Sequence, residues 1–144
     1  MVLLAVSDSN GKIIPLLGDS SGRPYVRLSH VEVDEAQVFE DEEIRDTNAH
    51  NSDVGDCSYF NLITIWVENG LDQNVSVQVK GNRVNSVTGA VDIGTAFDVS
   101  TVDRESRTIE PTTEGFLPFI FIEVTAAGVP TSGNLNAYLI RKPI

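Results

Sequence analysis

Residues 75–80 read Val75-Ser76-Val77-Gln78-Val79-Lys80, and that strict alternation decides the class of fold. A β-strand sends successive side chains to opposite faces, so three valines share one side and Ser76, Gln78 and Lys80 the other. This is the pattern of a half-exposed strand in an antiparallel sheet. The same alternation returns from Val91 to Val99, where Ile93, Thr95, Phe97 and Val99 stand against Asp92, Gly94, Ala96 and Asp98. Two other stretches break the rule. Leu62-Ile63-Thr64-Ile65-Trp66-Val67 and Phe116-Leu117-Pro118-Phe119-Ile120-Phe121-Ile122 are apolar on both faces. A sandwich strand buries one face against the opposite sheet. The second face of each is therefore expected to be covered by another subunit or by the N-terminal segment. Pro118 has no N–H to give to a ladder, which predicts a bulge or a sheet edge there.

Between these runs lie turn-forming clusters: Glu68-Asn69-Gly70, Leu71-Asp72-Gln73-Asn74, Lys80-Gly81-Asn82 and Pro130-Thr131-Ser132-Gly133-Asn134. Short strands between turns predict an all-β chain, an antiparallel β-sandwich or jelly roll over residues 58–144. Residues 1–33 read as an N-terminal arm or meander of short strands. Residues 34–57 read as an acidic loop or a short helix; Asp34-Glu35-Ala36-Gln37-Val38-Phe39 offers helix formers behind an N-cap aspartate, but its acids repel one another.

The arm carries a repeated phrase, Asp8-Ser9-Asn10-Gly11-Lys12 and Asp19-Ser20-Ser21-Gly22-Arg23. An EF-hand loop needs a bidentate acid at its twelfth position. Counting from Asp8, that position is Asp19, already part of the next turn, and from Asp19 it is His30. A phosphate loop needs glycines opening a helix, yet Gly11-Lys12 leads into Ile13-Ile14. Both phrases are read as structural turns, Asx side chains satisfying backbone N–H groups and Gly supplying positive φ.

The 144 residues carry a net charge of -11, unevenly placed. Between Glu32 and Asp56 ten acids face one base, Arg45, which accounts for -9 of that total. Nucleic acid and anionic membranes both demand clustered Lys and Arg, so neither is an expected partner. Val2-Leu3-Leu4-Ala5-Val6 is too short for a signal core or a membrane span, so synthesis in the cytoplasm without a signal peptide is expected. The single cysteine, Cys57, excludes an intrachain disulfide.

Catalytic material is sparse. His30 and His50 are the only histidines. A nucleophile at Cys57 beside His50 is weaker than a buried thiol at a strand start. A zinc site using both histidines with Asp53 or Asp56 lacks ligand spacing. The run Glu40-Asp41-Glu42-Glu43 is consecutive, whereas catalytic carboxylates face each other across a cleft. No enzyme activity, cofactor or metal is expected. Tyr25, Tyr59, Trp66 and Tyr138 are the aromatic residues a glycan-binding face would use, with core or interface the stronger reading for Trp66.

The apolar start, the Gly18-Asp19-Ser20-Ser21-Gly22-Arg23 turn, Asp72-Gln73-Asn74-Val75-Ser76-Val77-Gln78-Val79, Pro130-Thr131-Ser132-Gly133-Asn134-Leu135 and the Leu139-Ile140-Arg141-Lys142-Pro143 ending resemble small virion proteins of tailed bacteriophages, capsid decoration (cement) proteins above all. That resemblance implies a β-rich virion structural protein, a homo-oligomer and most readily a trimer, with the major capsid protein or another virion protein as partner. It also implies an arm that clamps neighbours. The interface residues expected on this reading are Leu3, Leu4, Ile13, Ile14, Tyr25, Trp66, Phe119 and Phe121. The alternative is a receptor- or glycan-binding β-sandwich of a phage tail or fibre.

Overall fold

The computed structural model describes residues 33–109 and 117–143, together with the backbone of 5–7 and 13–15. All regular structure among them is strand, and no helix long and apolar enough to cross a membrane occurs there. The chain divides into two units, residues 1–30 and 31–144. In the first, β1 (Ala5–Ser7) and β2 (Ile13–Pro15) pair antiparallel with Ser7 opposite Ile13. The second Asp-Ser-x-Gly turn, Leu3, Leu4 and Tyr25 lie outside the described residues, as do the side chains of Ile13 and Ile14.

The second unit is an antiparallel β-sandwich. One sheet has the order β10 (Asp103–Ile109), β6 (Leu62–Asn69), β12 (Leu135–Lys142), β3 (Asp34–Glu42). In the other, β11 (Phe119–Ala126) is flanked on one side by the short β4 (Ala49–Asn51) and β5 (Gly55–Asp56). On its other side lies β7 (Val75–Asn82), which carries β8 (Val91–Asp92) and β9 (Phe97–Val99). Alternation does the folding. Val75, Val77 and Val79 of β7, Ile63, Ile65 and Val67 of β6, Ile120, Ile122 and Val124 of β11, and Leu135, Ala137 and Leu139 of β12 are each at most 1% exposed. They meet in one cluster between the sheets. Burying a side chain of Val or Ile size contributes about 1.5–3 kcal/mol, so this cluster dominates the stability.

The 34–57 segment differs from the expected loop or helix. It is neither loop nor helix over its first part: β3 pairs with β12 along its length, and β4 and β5 edge the opposite sheet. Val38 and Phe39 are 4% exposed and Ile44 is fully buried, while Asp34, Glu35, Glu40, Asp41 and Glu43 face outward. The acids occupy an edge, where charge discourages pairing with foreign strands. Register shifts between Leu135 and Tyr138, with Asp41 at φ 45, mark a bulge that hides the strand's alternation. The sandwich therefore begins at Asp34 and not at Ser58.

The doubly apolar strands resolve differently. Pro118 precedes β11, and its carbonyl accepts from Cys57 N–H at 2.6 Å, so the missing donor falls outside the strand. Phe121 points away from the core cluster yet is 1% exposed, already enclosed within one copy. Between β4 and β5, Ser52 N–H donates to the Ile122 carbonyl at 2.9 Å and Ile122 N–H donates to Ser52 Oγ at 3.0 Å. A side chain thus carries the ladder across the gap.

Candidate binding face

The outer face of the four-stranded sheet is built by default from the inner one. With Ile63, Ile65 and Val67 turned into the core, β6 presents Thr64, Trp66 and Glu68 outward; with Leu135, Ala137 and Leu139 inward, β12 presents Asn136, Tyr138 and Ile140. The register then sets Trp66 directly opposite Tyr138, Thr64 opposite Ile140 and Glu68 opposite Asn136. On the far side of β12, Gln37 stands beside Tyr138 and Glu35 beside Ile140. Beside Trp66 on β10 is the small Ser106. Both aromatic residues are half-buried, and neither belongs to the core cluster. A cross-strand pair of this kind contributes about 0.2–1 kcal/mol.

Trp66, Tyr138, Ile140, Glu35 and Glu68 line an open cleft of about 440 Å³, within the range of small-ligand sites. Trp66 Nε1–H donates to Glu68 Oε1 at 3.0 Å, which fixes the indole against the strand. Gln37 Nε2 donates to Asn136 Oδ1 at 3.0 Å and to the Phe39 carbonyl at 3.2 Å, and lies 3.5 Å from the Tyr138 hydroxyl. Asn136 in turn accepts from Asp41 N–H at 2.8 Å and donates to Asp41 Oδ1 at 3.2 Å. Desolvation, and then the carboxylates of Glu68, Glu35, Asp41 and Glu40, push the Tyr138 phenol above its ordinary pKa of 10.0. The ring stands in a field of negative charge.

The other candidates separate. Phe119, at the start of β11, is half-buried on the opposite sheet, and the enclosed Phe121 offers no surface to another chain. Tyr59 is 85% exposed on a turn, away from the Trp66 cleft lining. His50 Nε2 sits 2.8 Å from Asp46 Oδ1, a surface contact that, first among its causes, lowers the Asp46 pKa. His30 lies outside the described residues. Cys57 is fully buried, and desolvation pushes its thiol to about 11, so it lacks the thiolate a nucleophile needs. Asp56 accepts from Ser58 N–H at 3.0 Å and from Ser58 Oγ at 2.6 Å. Arg141 stacks 4.7 Å over Phe60, pairs with Asp34 and donates to the Asp56 carbonyl at 2.7 Å. Among the described residues no three His, Cys, Asp or Glu side chains converge as a metal site.

Sequence reasoning named Trp66 and Tyr138 separately and missed Glu35, Glu68, Gln37 and Ile140. Alternation assigns each to a face; only the register of β3, β12 and β6 puts them side by side.

No protein-family model matches the chain, and no curated protein matches it. Among solved structures it is similar to the PBSX exported protein XepA, at 14% identity and a TM-score of 0.54. The match covers 98% of this chain and 49% of that one, so this chain spans about half the length of XepA. At that identity the likeness is one of fold.

Proposed function

We propose that the protein is a non-enzymatic phage protein, a β-sandwich recognition module of a virion that binds a cell-envelope ligand through the outer face of its four-stranded sheet. The observation that carries this reading is the Trp66–Tyr138 pair, open to solvent in a cleft that the sandwich core does not need. Aromatic rings left half-exposed with polar groups around them are the usual furniture of a binding site. The phage assignment is supported by the sequence resemblance described above and by the fold shared with XepA, a phage PBSX exported protein. The strand order β3-β12-β6-β10 over β4/β5-β11-β7-β8/β9 supports a jelly-roll reading of the sandwich, an arrangement frequent in viral proteins.

The test is an array of bacterial envelope glycans and polymers probed with the full chain and with Trp66→Ala and Tyr138→Ala. We expect both variants to lose at least tenfold in binding while keeping the far-UV spectrum of the parent. Binding that survives both substitutions would move recognition off this face.

A second reading, a capsid decoration protein that contacts the lattice and its own copies as a trimer, is favoured by one separate observation. Val84 and Val87 on the β7–β8 connection and Val91 at the start of β8 are 44%, 41% and 56% exposed, apolar side chains of one stretch of chain available to a protein partner. Light scattering at high concentration separates the two: a strict monomer counts against self-assembly and leaves the binding face untouched.

A further inference from the structure

We propose that the Trp66–Tyr138 cleft takes an organic ammonium group, seated over the two rings and flanked by Glu35 and Glu68. This rests on the recognition reading above and names the chemistry of its ligand. Aromatic faces carry negative quadrupole charge and attract a cation held within about 6 Å of the ring centre. Here the rings are accompanied by carboxylates: Glu35 beside Ile140, Glu68 beside Trp66, with Glu40 and Asp41 also acting on Tyr138. Among the described residues neither Glu35 nor Glu68 is spent in an ion pair. The bases of this face, Arg104 opposite Glu68 and Lys142 opposite Leu62, stand toward the ends of their strands and do not line the cleft. Ile140 adds an apolar wall suited to the methylene or methyl groups around a charged nitrogen.

A neutral sugar fits the same rings less well. Sugar hydroxyls find carboxylate acceptors here, but the amide donors beside the rings are engaged, Gln37 Nε2 by Asn136 Oδ1 and the Phe39 carbonyl and Asn136 Nδ2 by Asp41. Within the cleft lining the charges without an ion-pair partner are the carboxylates of Glu35 and Glu68, and their complement is a cation.

Trp66 is the only tryptophan, so indole fluorescence reports on this cleft alone. The full chain is titrated with choline, with n-butylammonium and with 3,3-dimethyl-1-butanol, the uncharged isostere of choline. We expect a saturable change with at least one ammonium, about threefold or more tighter than with the alcohol, and weaker in high salt. Preference between choline and butylammonium tells a quaternary from a primary amine source. Glu35→Gln, at an exposed position, and Glu68→Gln, which keeps an acceptor for the indole N–H, should each weaken ammonium binding severalfold. An equal response to the alcohol, no saturable response to either ammonium, or full binding by both glutamine variants overturns the proposal. The envelope array stands apart from these outcomes: Trp66-dependent binding there with no ammonium response here sinks the ligand class and keeps the recognition face.

Discussion

Asn69 and Asn82 end adjacent segments of the chain in the same way, and they show how single side chains hold this sandwich. Asn69, 2% exposed, donates from Nδ2 to the carbonyls of Gln73, Val99 and Ser100 at 2.9, 3.2 and 3.2 Å, while its Oδ1 accepts from Leu71 N–H at 3.1 Å. Asn82 does likewise for Ser86 and Thr88, at 2.7 and 3.0 Å. The sequence marks both as turn residues; they are instead the last residues of β6 and β7, buried braces whose partners lie up to some thirty residues away. Asp72 works at the surface. Its Oδ1 accepts from Thr131 N–H at 2.9 Å and its Oδ2 from the Thr131 hydroxyl, the latter being the first cause of a pKa below 3.8. A carboxylate with a lowered folded-state pKa adds stability at pH values above 3.8 and loses it as pH falls through the still lower folded value. Urea midpoints of wild type and Asp72→Asn should therefore differ at pH 7 and converge near pH 2. A gap that persists unchanged at low pH would assign the loss to something other than the charge. Trp66 and Tyr138 are legible in the sequence as aromatics on alternating strands; their adjacency is not, because pairing between strands some seventy residues apart is a property of register.

At the scale of elements, β6, β7 and β12 bury alternate residues almost without exception, yet the sequence announces that alternation plainly only in β7: residues 62–67 read as apolar on both faces, and the alternating run 91–99 divides into β8 and β9. β3 escapes detection for a physical reason. Its bulge puts Val38 and Phe39 consecutively into the core, which destroys the alternation, and the acids around them imitate a solvated loop. β4 and β5 are two or three residues each, too short to carry a period, and are held by β11 and by Ser52. The loops are more specific than their composition implies. Gly133 has φ 85, and a Cβ there would stand 1.8 Å from the Gly70 carbonyl oxygen, where the β6–β7 and β11–β12 connections touch. Gly70 N–H donates to Asn134 O across the same contact at 2.9 Å. Gly133→Ala combines an unfavourable φ with a backbone clash and should cost about 2 kcal/mol or more, read as a lower urea midpoint with an unchanged slope. A loss below about half a kcal/mol would mean the two loops part easily, and the close approach is then not a structural joint.

For the whole molecule, one sandwich accounts for the described residues from Asp34 onward, with a single core cluster among them and the two sheets edged by β3 and by β4–β5. A chain with residues 1–30 removed should keep a single cooperative unfolding transition, because the second unit contains that entire cluster. Broad, probe-dependent unfolding of this truncated form would show that the first unit completes the core. The surplus of apolar residues that the sequence displays is partly absorbed within one copy, as Phe121 shows, and partly left on the outer face at Trp66 and Tyr138. Recognition through that face therefore requires it to be open in the free protein and covered by its ligand. Acrylamide quenching of the sole tryptophan reads this directly. An indole accessible at every protein concentration, and shielded when the ligand saturates, is the expected result. A tryptophan already shielded in the dilute free protein, or one whose quenching is indifferent to bound ligand, would contradict it.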